Sequence, residues 1–346
     1  EPLVEVTRGS LVESVHRGHL AVVDGRGRRL AHLGSPGTVT YLRSSSKPQQ
    51  AIPLVISGAA DRFRLTAEEL ALACGSHNGE PEHTETVSQM LEKLGLDESA
   101  LRCGSHEPYG EKEQRRLQAL DQKPGPLHNN CSGKHAGMLA LALHLGAPAE
   151  GYTDLYHPVQ QAILGIIATF SDVPEEEIAI GTDGCGVPTF GVPVEAMALM
   201  FARLVSPPPS WDSSLVAACG RIVEAMVQYP EMVEGEGEMD TEIMRAARGR
   251  IVSKVGAEGV YTAGIRPSET YPHGLGIAFK IEDGDGKERA RPPAAIEVLR
   301  QLGLLGEEEL GKLERFDAST LSNHRGDEVG RVRPAFSLEK LDRQQP

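Results

Sequence analysis

The chain has 346 residues, of which 40% are hydrophobic and 24% are charged, as is typical of a globular protein. Its 35 basic and 49 acidic residues give a formal net charge of −14 at pH 7. Nucleic acids and anionic membranes are bound through basic surfaces, so we expect neither as the main partner. No apolar run reaches the length of about 18 residues that a membrane-spanning helix needs, so we expect no such segment.

Strand signals dominate the start of the chain, which is rich in Val and Leu and interrupted by glycine. The dipeptide Asp24-Gly25 favours a turn between two of the strands. We predict strands at residues 3–7, 11–16, 20–23, 30–33 and 38–42.

Helical spacing of apolar residues replaces this pattern in the centre of the chain. Thr66 followed by Glu69 forms a capping-box pattern, and Gly95 and Gly146 are typical helix ends. We predict helices at residues 67–74, 87–94, 138–145, 159–170 and 194–204. Strand patterning returns at residues 250–255, 259–262 and 275–281, followed by a helix at 294–302.

The order of these elements predicts the fold class. Strand signals lie at both chain ends and helices fill the centre. The sequence therefore favours an α/β fold with an antiparallel sheet built from both chain ends and flanked by helices. We predict a single domain over residues 1–346, in which a helical region at roughly residues 60–250 is inserted between the two sheet segments.

The cysteines indicate a reducing environment. Their odd number, low density and irregular spacing favour free thiols over disulfides or a zinc finger. The first residues also lack the basic-then-apolar profile of a signal peptide. We therefore expect a cytoplasmic protein. The cysteines are Cys74, Cys103, Cys131, Cys185 and Cys219.

Ser44 and Lys47 belong to the segment R-S-S-S-K-P, at a predicted helix start near Pro48. Their spacing places both side chains on one helical face. The helix N-terminus stabilises an oxyanion, and a neutral, desolvated lysine can accept the proton of a serine. Serine enzymes of the β-lactamase type use this S-x-x-K arrangement. A helix-capping role for Ser44 explains the same pattern.

Lys254 and Gly256 form a second signal of the same kind. Enzymes with the S-x-x-K arrangement carry a K-[ST]-G motif on a late strand that faces the nucleophile. Here a K-x-G motif lies on a late predicted strand, with Val255 in place of the hydroxyl residue. The alternative is a lysine on the surface of that strand.

Cys131 and Cys185 lie in polar, glycine-flanked segments, whereas a structural cysteine is usually a small buried hydrophobe. Together with neighbouring polar residues they could form a zinc site or a reactive thiol pair. His135 is the nitrogen ligand that general metal chemistry favours, because a lysine such as Lys134 would first have to lose its proton.

Several polar residues suit the recognition of a small zwitterion. The guanidinium of Arg43 can bind an α-carboxylate, and Asp183 can pair with an α-ammonium group. Asn130 and Gly184 lie in the same polar segments, although turn formation is the commoner use of such residues. For His77 we favour a role in holding its loop over a catalytic one.

Four segments occur in the order R-S-S-S-K-P, C-G-S-H-N-G-E, H-N-N-C-S-G-K-H-A-G-M-L and G-T-D-G-C-G-V-P. In this combination the chain resembles the Rhizobium-type L-asparaginases, also called asparaginase II or class 3, from Val4 to about Phe336. The resemblance implies a fold similar to that of serine β-lactamases and bacterial glutaminases.

The resemblance also implies roles for individual residues. It implies two catalytic pairs, Ser44 with Lys47 and Ser76 with Lys254. It implies a zinc site completed by water, in which Lys134 is the ligand in preference to His135. The implied zinc ligands are Cys131, Lys134 and Cys185, and the expected substrate-binding residues are Arg43, Asn130, His135, Asp183 and Gly184.

We therefore expect hydrolysis of L-asparagine to L-aspartate and ammonia. Ser44 would attack the side-chain amide with Lys47 as general base, while Ser76 and Lys254 relay protons or supply the nucleophile themselves. Zinc would position the substrate and is not required for the chemistry. We also expect a homodimer.

Two other functional classes stay open at this point. The first is a β-lactamase-like or peptidase-like serine amidohydrolase that acts on another amide. The second is a non-catalytic protein that binds zinc or an amino acid, against which the two serine–lysine pairs argue.

Overall fold

The computed structural model describes residues 1–340. Its strands are β1 Pro2–Arg8, β2 Leu11–Asp24, β3 Arg29–Leu33, β4 Val39–Tyr41, β5 Ala179–Thr182, β6 Pro188–Pro193, β7 Ile251–Gly256, β8 Val260–Ile265, β9 Leu275–Ile281, β10 Ser319–Ser322, β11 Glu328–Pro334 and β12 Glu339–Lys340. Its α-helices are α1 Lys47–Ile56, α2 Ala59–Arg62, α3 Ala67–Ala73, α4 Pro81–Lys93, α5 Glu111–Ala119, α6 Ser132–Leu145, α7 Pro158–Ser171, α8 Val194–Val205, α9 Ser213–Gln228, α10 Pro230–Val233, α11 Met239–Ala246, α12 Arg291–Gln301 and α13 Glu307–Lys312.

The chain folds into two compact units. Within the described residues, the sheet unit comprises Glu1–Thr40, Val192–Ser206 and residues 242–340, and the helical unit comprises Tyr41–Gly191 and Pro207–Thr241. The single domain with an inserted helical region stays a prediction.

The sheet unit is built on an antiparallel sheet in the order β10-β11-β1-β2-β9-β8-β7, with β3 pairing both β2 and β12. Strand β2 joins the two ends of the chain, because it pairs with β1 along one edge and with β9 along the other. Helices α8 and α12 pack on the sheet. The predicted α/β class, with an antiparallel sheet from both chain ends and flanking helices, is confirmed.

Gly276 shows how closely helix α8 lies on this sheet. A Cβ atom at this position in β9 would lie 1.7 Å from the carbonyl oxygen of Ala198 and 2.6 Å from the nitrogen of Ala202, both in α8. Only glycine allows this approach of two backbones.

The helical unit is organised around α6, which is buried from Ser132 to Ala142. Helices α3, α1 and α4 pack against it. At Gly133 an added Cβ atom would lie 2.6 Å from the carbonyl oxygen of Leu72 in α3, so this glycine brings the two helices together. The first turn of α6 is therefore fixed against α3, and it carries several of the predicted site residues.

The observed elements agree with most of those predicted. Residues 11–16 and 20–23, predicted as two strands, form the single strand β2, because Gly18 and His19 continue the pairing with β9. The capping box at Thr66 and Glu69 is present. Strands β10 and β11 were not predicted, since most of their residues are exposed and carry little apolar pattern.

Candidate active site

Ser44 and Lys47 lie at the start of helix α1. Residues Arg43–Ser46 form a 3-10 turn, Lys47 begins the helix, and proline occupies its first turn, where a missing N–H costs little. Arg43 has a φ of 51°, in the left-handed region that residues other than glycine rarely adopt. Backbone strain of this kind concentrates at functional sites, and here it directly precedes Ser44.

Lys47 is fully buried and contacts a serine that lies far away in the sequence. Its Nζ donates hydrogen bonds to Ser76 Oγ at 2.9 Å, to Gly75 O at 2.5 Å and to Asn130 O at 3.2 Å. The structure thus joins Lys47 of the first predicted pair to Ser76 of the second. Ser44 lies half-buried three residues before Lys47.

Lys254 lies on strand β7 of the sheet unit. It is fully buried, so the alternative of a lysine on the strand surface is wrong. Its Nζ donates a hydrogen bond to Val255 O at 3.2 Å. The pairing of Lys254 with Ser76 stays a prediction.

His77 holds the loop that carries Ser76. Its Nδ1 accepts the Gly79 N–H at 3.1 Å, so the proton lies on Nε2, which donates to Ser132 Oγ at 2.8 Å. Burial, followed by the charge of His83, lowers the pKa of His77 well below its ordinary value. Both ring nitrogens of this neutral imidazole are used by the fold, in agreement with the loop role.

Cys131, Lys134 and Cys185 converge in the helical unit. Cys131 precedes helix α6, Lys134 lies in its first turn, and Cys185 lies between β5 and β6. All three side chains are buried, and Lys134 Nζ lies 3.1 Å from Cys185 Sγ. Cys131 lies close enough to Cys185 for the second thiol to be the main influence on the pKa of the first. We call these three residues the thiol cluster.

The two thiols share one negative charge next to an ammonium group. The hydrogen bond from Cys185 lowers the pKa of Cys131 well below its ordinary value, and the charges of Lys47 and Lys134 act in the same direction. The same hydrogen bond, together with burial, raises the pKa of Cys185, which keeps its proton. Burial alone would lower the pKa of Lys134, but the charges of Cys131 and Cys185 raise it.

The model of the L-asparaginase II family matches residues 4–334. The chain belongs to the L-asparaginase II family. It is therefore an amidohydrolase with a small-molecule substrate, which sets aside the alternative of a non-catalytic binding protein. No curated protein sequence matched the chain.

The solved structures to which this chain is similar include the following three. The native form of Mglu is 15% identical over 81% of this chain, with a TM-score of 0.42, and the match spans 62% of the length of Mglu. A probable glutaminase from Bacillus subtilis, complexed with 6-diazo-5-oxo-L-norleucine, is 14% identical over 84% of this chain and 85% of its own, with a TM-score of 0.41. A β-lactamase from Burkholderia ambifaria is 16% identical over 78% of this chain and 87% of its own, with a TM-score of 0.36.

In this family member the thiol cluster has the composition of a metal site. Among residues 1–340 no group of three or more His, Cys, Asp or Glu side chains is arranged to hold a metal ion, and the third donor of the cluster is an amine. Two thiols and one amine, buried together, suit zinc and leave a fourth tetrahedral position. The residues present therefore fit the ion that the sequence suggests, once their protons are displaced.

Arg43 and Asp183, expected to bind the two ends of a zwitterion, pair with each other. Arg43 Nε lies 2.8 Å from Asp183 Oδ1, which also accepts the Gly184 N–H at 2.9 Å. Burial works to raise the pKa of Asp183, but the charges of Lys134 and Arg43 hold it below its ordinary value. Gly184 thus contributes by orienting the carboxylate.

The two remaining predicted residues, Asn130 and His135, form hydrogen bonds with residues that the sequence did not predict as part of the site. Asn130 donates its N–H to His106 Nε2 at 3.0 Å, while His135 Nδ1 lies 2.6 Å from the hydroxyl of Tyr152. Burial, followed by the charges of Lys134 and Lys47, lowers the pKa of His135 well below its ordinary value.

For His106, the sequence contained a weak signal. His106 ends a second copy of the tetrapeptide C-G-S-H, at residues 103–106, which repeats the segment that carries Ser76. Tyr152 has no comparable signal.

In residues 1–340 no helix combines the length and the apolar character that crossing a bilayer requires.

Proposed function

We propose that this amidohydrolase hydrolyses L-asparagine to L-aspartate and ammonia through an acyl-enzyme formed on a serine. The observation that carries the proposal is the buried Lys47 amine, held 2.9 Å from Ser76 Oγ and one helical turn after Ser44. A lysine between two serines can move protons for both halves of a hydrolysis.

The first half-reaction forms the ester. Neutral Lys47 accepts the proton of Ser44 Oγ as this oxygen bonds to the side-chain amide carbon. As the C–N bond breaks, the leaving nitrogen takes a proton from Ser76 Oγ, which is replenished from the Lys47 ammonium group. Ammonia departs and an aspartyl ester remains on Ser44. The contact between Lys47 and Ser76 supports this relay.

In the second half-reaction a water molecule attacks the ester. Lys47 again accepts a proton, and Ser44 leaves with that proton restored. Backbone N–H groups at the start of α1 would stabilise the oxyanion in both steps. Because Lys47 contacts the hydroxyl of Ser76, a mechanism with the two serines exchanged is the second candidate.

Substrate binding would exchange the partners of Arg43 and Asp183. Their ion pair holds a guanidinium and a carboxylate side by side. The α-carboxylate of asparagine would bind Arg43 and its α-ammonium group Asp183, so that each charge keeps a partner of opposite sign.

We also propose that Cys131, Cys185 and Lys134 hold a zinc ion. When bound, zinc would supply a fixed positive charge that helps to position the substrate. No step above depends on it. A second copy of the chain in a homodimer, Lys254 as the partner of Ser76 and a cytoplasmic location stay predictions.

The decisive experiment compares Ser44→Ala with Ser76→Ala. Ammonia release is measured with asparagine, glutamine and a β-lactam, and the acylated serine is located by mass spectrometry of quenched protein. Ser45→Ala is a matched control, because Ser45 lies in the same turn but its hydroxyl bonds Leu42 O at 2.7 Å.

We expect ammonia release from asparagine and an ester on Ser44 in the wild type. Ser44→Ala should lose both, and Ser45→Ala should keep both. An ester on Ser76 would support the exchanged mechanism. Turnover of glutamine or a β-lactam without turnover of asparagine would overturn the substrate assignment.

A further inference from the structure

Tyr152 and His135 form a buried pair beside the proposed site. The tyrosine is fully buried, and so is the imidazole. The two rings meet edge to face with their centroids 5.5 Å apart, and the hydroxyl lies 2.6 Å from Nδ1. The hydroxyl also accepts the main-chain N–H of Arg102 at 2.9 Å.

The position of the protons follows from these two contacts. The Arg102 N–H can only donate, so the Tyr152 oxygen accepts from it. Within residues 1–340, His135 Nδ1 is then the acceptor for the phenolic proton. If Nδ1 carried a proton instead, the phenolic hydrogen would be buried without an acceptor, which is costly. Nδ1 therefore accepts, and the proton of the neutral imidazole lies on Nε2.

The Nε2–H group of His135 is buried and has no hydrogen-bond partner within the described part of the chain. A nitrogen that carries a proton has no lone pair for a metal ion. It can only donate to an acceptor that this part of the chain does not provide. His135 follows Lys134 directly in the first turn of α6, which places this ring at the end of the helix that carries the proposed site residues.

We propose that Tyr152 is a positioning residue that fixes His135 as an Nε2–H donor to an oxygen of the bound amino-acid substrate. The same arrangement keeps His135 from ligating zinc and leaves that role to Lys134. The role of His135 toward substrate rests on the proposed function, whereas its proton position does not.

The proton position can be read in the wild-type protein without turnover. Protein labelled with 15N in histidine is examined by NMR, which distinguishes a protonated ring nitrogen from an unprotonated one. His135→Gln identifies the signals of His135 by their loss. We expect a protonated Nε2 and an unprotonated Nδ1. A proton on Nδ1 in the wild type would overturn the proposal, whatever the activity.

The contribution to binding is tested with Tyr152→Phe, which removes only the hydroxyl. The matched control is Tyr271→Phe, because Tyr271 donates its hydroxyl to Leu302 O in the sheet unit. We expect Tyr152→Phe to change the His135 signals and to raise KM for asparagine about tenfold, with a smaller change in kcat. An unchanged His135 spectrum in folded Tyr152→Phe would overturn the positioning role.

Two histidine variants complete the test. His135→Gln keeps a donor near the Nε2 position and should retain a lower KM than His135→Ala. Both should retain the zinc content of the wild type. Loss of zinc in both would make His135 a ligand and contradict the proposal. If neither the wild type nor any variant hydrolyses asparagine, the proposed function is wrong. The position of the His135 proton is still determined by NMR in that case.

Discussion

The helical unit buries two lysines whose surroundings differ. Lys47 is fully buried, and its Nζ contacts the hydroxyl of Ser76 and two main-chain carbonyls. Lys134 is 3% exposed, and its Nζ contacts the thiol of Cys185. Cys131 and Asp183 also act on it by their charges.

Both lysines are buried, so their different roles follow from the groups that their amines contact. The charges of Cys131, Cys185 and Asp183 hold Lys134 protonated, so it balances the charge that the two thiols share and does not serve as a base. Lys47 Nζ instead contacts three neutral oxygens, those of Ser76, Gly75 and Asn130, and a hydroxyl among its partners suits proton transfer. The comparison assigns proton transfer to Lys47 and charge balance to Lys134.

The largest effect should come from Lys47→Met. Removal of the general base should lower kcat by about 10³-fold or more. Lys134→Met should act mainly on KM and metal content, since its amine is outside the proposed proton path. Steady-state assays of ammonia release compare the two, with the exposed Lys123→Met as control. Equal losses of kcat in Lys47→Met and Lys134→Met would contradict the division of roles.

The pH dependence of turnover should be the next largest effect. A lysine base works only in its neutral form, and the neutral fraction rises up to about tenfold per pH unit below the pKa. We therefore expect kcat/KM to rise from pH 7 to pH 9. Circular dichroism over the same range checks that the fold is unchanged. A flat or falling profile would argue against a lysine base.

The thiol cluster should respond mainly in metal content and substrate affinity. Cys131→Ala or Cys185→Ala should reduce zinc from near one per chain to near none, and raise KM about tenfold with less change in kcat. Cys219→Ala is the matched control, since Cys219 is buried in helix α9 away from polar segments. Elemental analysis of wild-type protein purified without chelator that finds no zinc would remove the metal from the proposal.

The smallest effect concerns stability in acid near Lys47. His77 and His83 are stacked 5.0 Å apart, and burial is the main cause that lowers the pKa of each. Because the unfolded state binds protons more readily, stability is fully present above about pH 6.5 and falls as the pH drops toward the folded pKa. Each imidazole contributes up to about 1.4 kcal/mol per pH unit in this range.

Urea unfolding of the wild type and His83→Gln at several pH values between 7.5 and 5 measures this effect. We expect the free energy of unfolding to fall with pH, and to fall less steeply in the variant. An identical slope in both proteins would show that His83 does not contribute. The main-chain contacts of His83, from Glu80 N and to Glu231 O, explain why its neutral form is required.

The antiparallel sheet could be predicted because most of its buried strands are rich in β-branched and other apolar residues. Strands β7 and β8 are buried along their whole length, and the sequence predicted both of them. Strands β10 and β11 are mostly exposed, so their polar residues gave no comparable signal. The two compact units also had no sequence signal. The chain passes between them at four points, of which three lie inside β4, β6 and α11, where no linker-like stretch marks a boundary.

The amino-acid sequence was sufficient to identify the segments that carry the site residues of this protein. The segments around Ser44, Ser76, Cys131 and Cys185 are polar and rich in glycine where helices and strands would be apolar, so they were recognisable as site segments. They also carried the resemblance to the family that the comparison confirmed. Such segments can be recognised from the sequence because their polar and glycine residues are neighbours along the chain.

Which of these residues contact each other depends on the packing of the helices. Lys47 contacts Ser76 because the packing of α1, α3 and α6 brings their ends together, and residues 29 positions apart carry no mark of that contact in the sequence. The same holds for Tyr152, whose hydroxyl fixes the proton of His135. Spacing along the chain predicts contacts within one turn of a helix, whereas proton positions and charge partners depend on the packing between helices.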